Sequence, residues 1–288
     1  MKPPRGERRR WPGSTPRRGA GRTTTTASCG APGDRAGRCC CCTAAPAAGR
    51  TGCATSPHLA TTHAVYVPDL PGCGDSAAMA EPCTMGRMAD ALHASLLGSG
   101  RCTGPFALVG FSLGSFVAEA MALRHPAAVD ALVLVRGSFD GVLPPMPSGL
   151  VRWRHLVDDP QALREAHRHN LATLMFHDPA RIDEAALELH AVNQSRARLD
   201  VFSLMDTREA QALQRLALTP GCVCGEHDVL GSCDPAAQEE ALRRLRPEAG
   251  LHVVADAGHW APYEQAERFN RLLDGLLRSS GGAERAAA

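Results

Sequence analysis

The sequence predicts an α/β protein with a mostly parallel central sheet wound with helices and a helical cap inserted into it. Short apolar runs alternate with segments of helical spacing over residues 56–138, and the alternation resumes over residues 206–279. This order is typical of parallel strands joined by right-handed crossovers. Residues 139–205 interrupt the alternation with segments that have helical spacing. We therefore expect two parts of one core, separated in sequence by a cap.

The individual elements follow from the period of the apolar residues. Strands are expected at 64–68, 106–109, 129–135, 221–225 and 251–255. Helices are expected near 85–97, 113–125, 161–174, 182–189, 191–205, 235–245 and 265–277. A chain of 288 residues is long enough for one large domain with an insertion.

Neither end of the chain shows the apolar spacing of a helix or of a strand. Residues 1–55 are rich in Arg, Gly, Pro, Thr, Ala and Cys, and they carry eleven basic but only two acidic residues. No apolar segment follows Arg8-Arg9-Arg10, so a secretion signal is not expected. We predict that residues 1–55 are a low-complexity, disordered segment and that residues 280–288 are a disordered tail.

Composition argues against several classes of function. The formal net charge is +1 and only 4% of residues are aromatic, so a surface for nucleic acid is not expected. No apolar stretch approaches the roughly 18 residues of a membrane span. The twelve cysteines lack the spacing of a zinc site, which favours no metal and a reducing, cytoplasmic location. Gly72 and Gly74 lack the third glycine and the helix of a dinucleotide loop.

The segment Gly110-Phe-Ser112-Leu-Gly114 joins the strand at 106–109 directly to the next helix. The chain must reverse there within a few residues. Glycines on both sides allow close backbone approach, and the serine takes the strained, exposed position. The pattern predicts a nucleophile elbow in which Ser112 faces the free N–H groups at the start of the helix.

Two later strands end in residues that can assist a serine. Asp228 follows the strand at 221–225, and His259 follows the strand at 251–255. Because ligands bind at the carboxyl ends of parallel strands, we expect both side chains to meet Ser112 at that edge. His259 would take the serine proton as a general base, and Asp228 would hold its other ring nitrogen and stabilise the imidazolium.

Other carboxylates compete for the role of Asp228. Glu226 lies two residues earlier, and Asp140 follows the strand at 129–135. Asp256 is expected to be a turn residue. His167 and His169 are two apart on one predicted helix and therefore diverge, so they are not expected to share a metal ion.

On these motifs the chain resembles the α/β-hydrolase superfamily, and in particular its soluble members with a helical cap. The resemblance covers about residues 56–277 and rests on four motifs: Asp69-Leu-Pro-Gly-Cys-Gly-Asp-Ser76, Gly110-Phe-Ser-Leu-Gly114, Gly225-Glu-His-Asp228 and Ala257-Gly-His-Trp260. It implies acyl transfer from a small-molecule substrate to water through an acyl-enzyme, with no cofactor. It also implies that the backbone N–H of Leu113 is one oxyanion donor.

One part of the family's pattern has no counterpart in the sequence. The family has a further strand that ends in His-Gly, and the loop after that strand supplies a second oxyanion donor. The strand is expected near residues 35–48, where the chain reads Arg-Cys-Cys-Cys-Cys-Thr-Ala-Ala-Pro-Ala-Ala and has no His-Gly. We therefore expect the first strands of the sheet to be missing or replaced, and we interpret residues 1–55 as a possible wrong-frame segment.

The resemblance leaves three functions open. The leading hypothesis is a serine hydrolase that cleaves a small ester, lactone or related acyl compound. The alternatives are a hydrolase of carbon–carbon bonds in oxo-dienoates and a catalytically impaired protein with an incomplete oxyanion hole. Arg196 and Arg198 could hold a substrate carboxylate, although surface charge is the commoner role for arginine. Neither nucleic acid nor a membrane is expected as a partner.

Overall fold

Seven strands form one sheet in the described part of the computed structural model. The structure describes residues 25–27, 39–44, 53–100, 102, 104–137, 139, 147–209, 211–230 and 234–280. The strands are β1 (Thr25–Ala27), β2 (Cys39–Ala44), β3 (Ala64–Pro68), β4 (Phe106–Phe111), β5 (Val129–Val135), β6 (Gly221–Gly225) and β7 (Leu251–Val254). Their order across the sheet is β1-β3-β2-β4-β5-β6-β7, and only the β1–β3 pair is antiparallel. The mostly parallel sheet confirms the predicted fold class.

Helices connect the strands and cover the sheet. They are α1 (Ser56–Leu59), α2 (Met85–Gly98), α3 (Leu113–Arg124), α4 (Pro160–Leu174), α5 (Glu184–Ser195), α6 (Val201–Met205), α7 (Ala212–Arg215), α8 (Pro235–Leu245), α9 (Ala261–Glu264) and α10 (Ala266–Ser280). Short 3-10 turns lie at Pro126–Ala128, Arg154–Leu156 and Pro179–Arg181. The short helices α1, α7 and α9 have too few residues to show a helical period, and the sequence did not predict them.

The apolar runs of the central strands are continuous because both faces of the sheet are buried. Along β4, Phe106 and Leu108 belong to one hydrophobic cluster, whereas Ala107, Val109 and Phe111 belong to the other. The strand also extends two residues beyond the predicted end at 109, since Gly110 and Phe111 still pair with β5. Ser112 therefore follows a strand whose two faces are both packed in hydrophobic clusters.

The cysteine run supplies the strand that the sequence analysis expected to be missing or replaced. β2 lies parallel to both β3 and β4, with Cys41 opposite Tyr66 on one side and Leu108 on the other. The expectation of disorder over residues 1–55 is thus wrong for 25–27 and 39–44, which pair in the sheet, and for 53–55, which form a turn before α1. The other residues up to 52, and the predicted tail at 281–288, lie outside the described residues.

Between β5 and β6, the break between two predicted helices lies at a different position from the one expected. The expected break at residue 190 is absent, and α5 runs without interruption from Glu184 to Ser195. The chain leaves the helix at 196–200 instead, where the Arg198 N–H donates to the Gly72 carbonyl oxygen at 2.9 Å. A tertiary contact therefore decides where the helix ends. α4 and α5 pack on each other.

Candidate active site

Ser112 lies between β4 and α3 in a conformation that few residues other than glycine adopt. Its φ is 55° and its ψ is −122°, and its N–H donates to the Val135 carbonyl oxygen at 2.9 Å. The Ser115 hydroxyl donates to the carbonyl oxygens of Gly110 at 2.8 Å and Val135 at 2.7 Å. These bonds fix the strained turn to the ends of β4 and β5, as expected for a nucleophile elbow.

The structure brings the three predicted side chains together. His259 Nε2 lies 3.0 Å from Ser112 Oγ, and His259 Nδ1 lies 2.9 Å from Asp228 Oδ2 and 3.2 Å from Asp228 Oδ1. A carboxylate can only accept, so Nδ1 carries the proton and Nε2 is free to accept from the serine hydroxyl. Asp228 is 2% exposed and His259 is 3% exposed, so little water competes for these bonds.

Backbone contacts hold the Asp228 loop against the His259 loop. The Glu226 N–H donates to the Val254 carbonyl oxygen at 3.0 Å, and the His227 N–H donates to the Ala257 carbonyl oxygen at 2.9 Å. Gly225 permits this approach, since a Cβ there would lie 2.1 Å from the carbonyl oxygen of Gly258. The acid and the imidazole are therefore positioned by the same pair of loops.

A buried carboxylate that the sequence analysis missed supports the histidine loop. Glu264 Oε2 accepts from the Gly258 N–H at 2.7 Å and the His177 N–H at 3.0 Å, and Oε1 accepts from the Asp178 N–H at 2.7 Å. Glu264 is 4% exposed. It joins the segment after α4 to the residue next to His259. An acidic residue five positions after a histidine is too common to have signalled this role.

A buried cation lies behind Asp228. Arg136 follows β5, and its Nε lies 3.4 Å from Asp228 Oδ2. Burial and the charge of Asp228 raise the pKa of the nearby Cys224 thiol to about 12, while the charge of Arg136 lowers it. The thiol is consequently protonated at neutral pH. Arg136 stands at the end of a strand, so the rule that found Ser112 and Asp228 could have found it.

The remaining candidates lie apart from this arrangement or outside the described residues. Glu226 accepts from the Asp256 N–H at 3.0 Å rather than binding His259, and Asp256 forms a surface ion pair with Arg268 in a turn. Leu113 is the first residue of α3, where N–H groups have no acceptor within the helix. Asp140 lies outside the described residues.

Arg196 and Arg198 are engaged by the protein itself. Arg196 Nη1 lies 2.8 Å from Asp75 Oδ1, and the Arg198 guanidinium donates to the carbonyl oxygens of Gly74 and Ser76. Both arginines therefore join the segment after α5 to the loop after β3. Their suggested role as ligands of a substrate carboxylate gains no support from these contacts.

Two further features bear on the kind of site. Within the ranges that the structure describes, no three His, Cys, Asp or Glu side chains are arranged to bind a metal ion. Over the same ranges, every helix is too short or too polar to cross a lipid bilayer.

The family model for the alpha/beta hydrolase family matches residues 50–272. The chain belongs to this family. The match begins before β3 and ends within α10, so it includes Ser112, Asp228, His259 and the helices between β5 and β6.

Curated relatives of this family member are hydrolases of several kinds. A 2-hydroxy-6-oxononadienedioate/2-hydroxy-6-oxononatrienedioate hydrolase of Burkholderia vietnamiensis is 30% identical over 185 residues, which are 59% of this chain and 62% of the relative. A Cronobacter turicensis protein, provisionally named carbamate hydrolase RutD, is 29% identical over 75% of this chain and 81% of its own length. The chain thus spans about three-fifths of the first relative.

Solved structures share the fold. A thermophilic esterase from Thermogutta terrifontis aligns with a TM-score of 0.64 and 24% identity, over 84% of this chain and 90% of the esterase. The meta-cleavage product hydrolase CumD from Pseudomonas fluorescens aligns with a TM-score of 0.66 and 19% identity, over 85% and 92% of the two chains. At these identities the likeness establishes the α/β-hydrolase fold alone.

Proposed function

We propose that this protein is a serine hydrolase that cleaves a small ester, lactone or related acyl compound through an acyl-enzyme. The observation that carries the proposal is the hydrogen-bonded chain from Ser112 Oγ through His259 to Asp228, with distances of 3.0 and 2.9 Å. Membership of the alpha/beta hydrolase family supports it. A serine hydroxyl is a weak nucleophile, and this arrangement gives it an adjacent base.

The proposed reaction has two steps. Ser112 Oγ attacks the acyl carbon while His259 Nε2 takes the hydroxyl proton. The tetrahedral intermediate collapses to an acyl-serine, and the leaving oxygen departs with that proton. Water then attacks the acyl-serine, gives a proton to His259, and releases the acid as Ser112 regains its hydrogen. Asp228 stabilises the imidazolium present in each step.

The oxyanion of the intermediate needs preorganised donors. We assign the backbone N–H of Leu113 as one donor, because the start of α3 follows Ser112 directly. The family's second donor lies in the loop after the strand that β2 supplies, and residues 45–52 after β2 lie outside the described residues. Removal of one oxyanion donor slows such a reaction on the order of 100–1000-fold. A protein with Leu113 as its single donor would therefore be a weak hydrolase.

A fluorophosphonate probe tests the proposal, because it reacts covalently only with an activated serine. We expect labelling of the folded wild-type protein and none of Ser112→Ala, together with release of p-nitrophenol from a short acyl ester by the wild type alone. A folded wild-type protein that is neither labelled nor active would contradict the proposal and favour the impaired alternative.

A second candidate is hydrolysis of a carbon–carbon bond. It is favoured by the 30% identity to the oxononadienedioate hydrolase of Burkholderia vietnamiensis. Incubation with a 2-hydroxy-6-oxo-dienoate distinguishes the two candidates, since cleavage destroys the conjugated chromophore. Cleavage faster than that of short acyl esters would favour this second candidate.

A further inference from the structure

We propose that Arg136 is a positioning residue for the histidine–aspartate pair, whose buried guanidinium holds the Asp228 carboxylate where it can accept from His259. The inference rests on the proposed serine hydrolase function. The supporting observation is that Asp228 Oδ2 has two nitrogen neighbours, His259 Nδ1 at 2.9 Å and Arg136 Nε at 3.4 Å.

The backbone of Arg136 is in a conformation that favours glycine. Its φ is 55°, and its N–H donates to the Val223 carbonyl oxygen on β6 at 2.8 Å. A non-glycine residue in this region is strained, and such strain persists where the surroundings enforce it. With this backbone conformation, the side chain of Arg136 at the end of β5 reaches Asp228 in the loop after β6.

The charge of Arg136 has few partners. Its side chain is 6% exposed, its Nη1 donates to the Gly137 carbonyl oxygen at 2.9 Å, and its buried Nε has no hydrogen-bond partner among the described residues. A buried cation is costly unless a carboxylate balances it. Within the described ranges, Asp228 is the carboxylate that lies within ion-pair distance of it.

Asp228 has contacts on both oxygens. Oδ1 accepts from the Leu230 N–H at 2.9 Å, and Oδ2 faces both Arg136 and His259. The pKa of the neighbouring Cys224 thiol is raised to about 12, mainly by burial, so this thiol is neutral at neutral pH. The guanidinium is therefore the charged group, besides the imidazole, that lies close enough to Oδ2 to hold this oxygen in place. Without it, the carboxylate could turn and misalign His259.

The first experiment compares three substitutions of Arg136 by the rate of fluorophosphonate labelling and by ester hydrolysis. Arg136→Met keeps the length and removes the charge, and we expect labelling and kcat to fall about tenfold to hundredfold with KM unchanged. Arg136→Lys keeps a positive charge, and we expect it to remain within about threefold of wild type. Arg136→Gly relieves the backbone strain, so it tests the same loss of charge in a variant expected to fold.

A surface ion pair provides the matched control. Arg243 pairs with Glu239 at 2.7 Å on the surface of α8. Arg243→Met also removes a guanidinium from a carboxylate, and we expect wild-type labelling and kcat. Thermal unfolding of every variant shows whether the protein is folded when the rates are measured.

A double-mutant cycle asks whether Arg136 acts through Asp228. On an Asp228→Asn background, we expect Arg136→Met to change the labelling rate by less than about twofold. The proposal is overturned by wild-type rates in folded Arg136→Met or Arg136→Gly, or by an undiminished effect on the Asp228→Asn background. If the wild type itself is not labelled, the proposed function fails instead, and the two failures are thereby distinguished.

Discussion

The position of the Ser112 hydroxyl depends on how closely α3 approaches β4. A Cβ at Gly110 would lie 2.5 Å from the Gly114 carbonyl oxygen and 2.7 Å from the Ser115 Cα. These are backbone atoms of the helix that Ser112 introduces. The absence of a side chain at residue 110 therefore sets the distance between the strand and the helix.

We expect Gly110→Ala to disrupt the elbow. The methyl group would push α3 away from β4, at a cost of about 1–3 kcal/mol or more, and would displace Ser112 from His259. The midpoint of chemical unfolding and the rate of fluorophosphonate labelling should both fall. Gly98→Ala is the control, since a Cβ there meets nothing within 4 Å and the change should be neutral. Wild-type stability and labelling in Gly110→Ala would contradict this account.

In the proposed mechanism, Asp228 assists His259 through its negative charge and through the ring orientation that it imposes. Asp228→Asn preserves the shape of the side chain but can hold the wrong tautomer of His259, so we expect kcat to fall about 10⁴-fold. Ester hydrolysis under saturating substrate measures the change. Asp256→Asn, in an exposed turn, should retain wild-type kcat. A fall of less than about tenfold in Asp228→Asn would indicate that another carboxylate has the role.

At the scale of elements, Glu264 links the segment after α4 to the histidine loop through three N–H groups. Glutamine has one acceptor oxygen in place of two, and its NH₂ group would face an N–H donor. We expect Glu264→Gln to lower stability by about 1–3 kcal/mol, the cost of a buried unsatisfied group, and to slow labelling of Ser112. Thermal unfolding and the labelling rate measure these effects.

Glu267→Gln is the control for this change. Glu267 is an exposed residue of α10, three positions along the chain, and its substitution should alter neither quantity. Equal behaviour of the two variants would show that the carboxylate of Glu264 does not support the histidine loop.

The pair of helices α4 and α5 contains a buried histidine, His167, and a half-buried one, His190. The rings of His167 and His190 are 5.2 Å apart, edge to face, and neither His167 Nδ1 nor His190 Nε2 has a hydrogen-bond partner among the described residues. Burial lowers the pKa of both rings, and for His190 burial and the nearby His167 lower it from 6.5 to about 4. These rings are neutral in the folded protein at neutral pH.

Acid should therefore destabilise the fold through this pair. Because the folded-state pKa of His190 lies below its unfolded value, the unfolded chain binds a proton first as the pH falls. The contribution is complete above pH 6.5 and is lost as the pH falls toward 4, up to about 3 kcal/mol. We expect the urea midpoint to fall less between about pH 7.5 and about pH 5 in His190→Gln than in the wild type.

His155 is exposed, so His155→Gln should show the same fall in midpoint as the wild type. If His190→Gln and the wild type lose equal stability over this range, other groups cause the acid sensitivity.

For the molecule as a whole, the parts predictable from sequence were those with a local signal. The runs at 64–68, 129–135 and 221–225 are strands with the predicted bounds, because burial on both faces makes them continuously apolar. Ser112, Asp228 and His259 were predictable as neighbours, because the ends of parallel strands share one edge. Their catalytic roles stay predictions that the labelling experiments test.

The parts that could not be predicted depend on contacts between distant residues. β2 is a cysteine run with Thr43 as its single β-branched residue, and pairing with β3 and β4 makes it a strand. The end of α5 depends on the contact between Arg198 and Gly72. The roles of Arg136 and Glu264 depend on where their side chains meet the two loops of the site. None of these contacts has a signature within a short window of sequence.

The contact between β5 and β6 divides the proposed machinery into two halves. Three residues of β5, Val133, Leu134 and Val135, are in register with β6, and the Arg136 N–H adds one bond to the Val223 carbonyl oxygen, whereas β4 and β5 pair over the whole of β4. Ser112 lies on one side of this short ladder, and Asp228 and His259 lie on the other. A small separation at that boundary would part hydroxyl from imidazole while each half kept its own packing.

We therefore expect heat to inactivate the protein some degrees before it melts, as a local opening rather than a global one. Residual ester hydrolysis measured during warming, beside circular dichroism on the same sample, gives both temperatures. Coincident temperatures would show that the two halves come apart only on global unfolding. If inactivation comes first, the temperature range of the proposed activity is set by the short contact between β5 and β6 and not by the stability of the core.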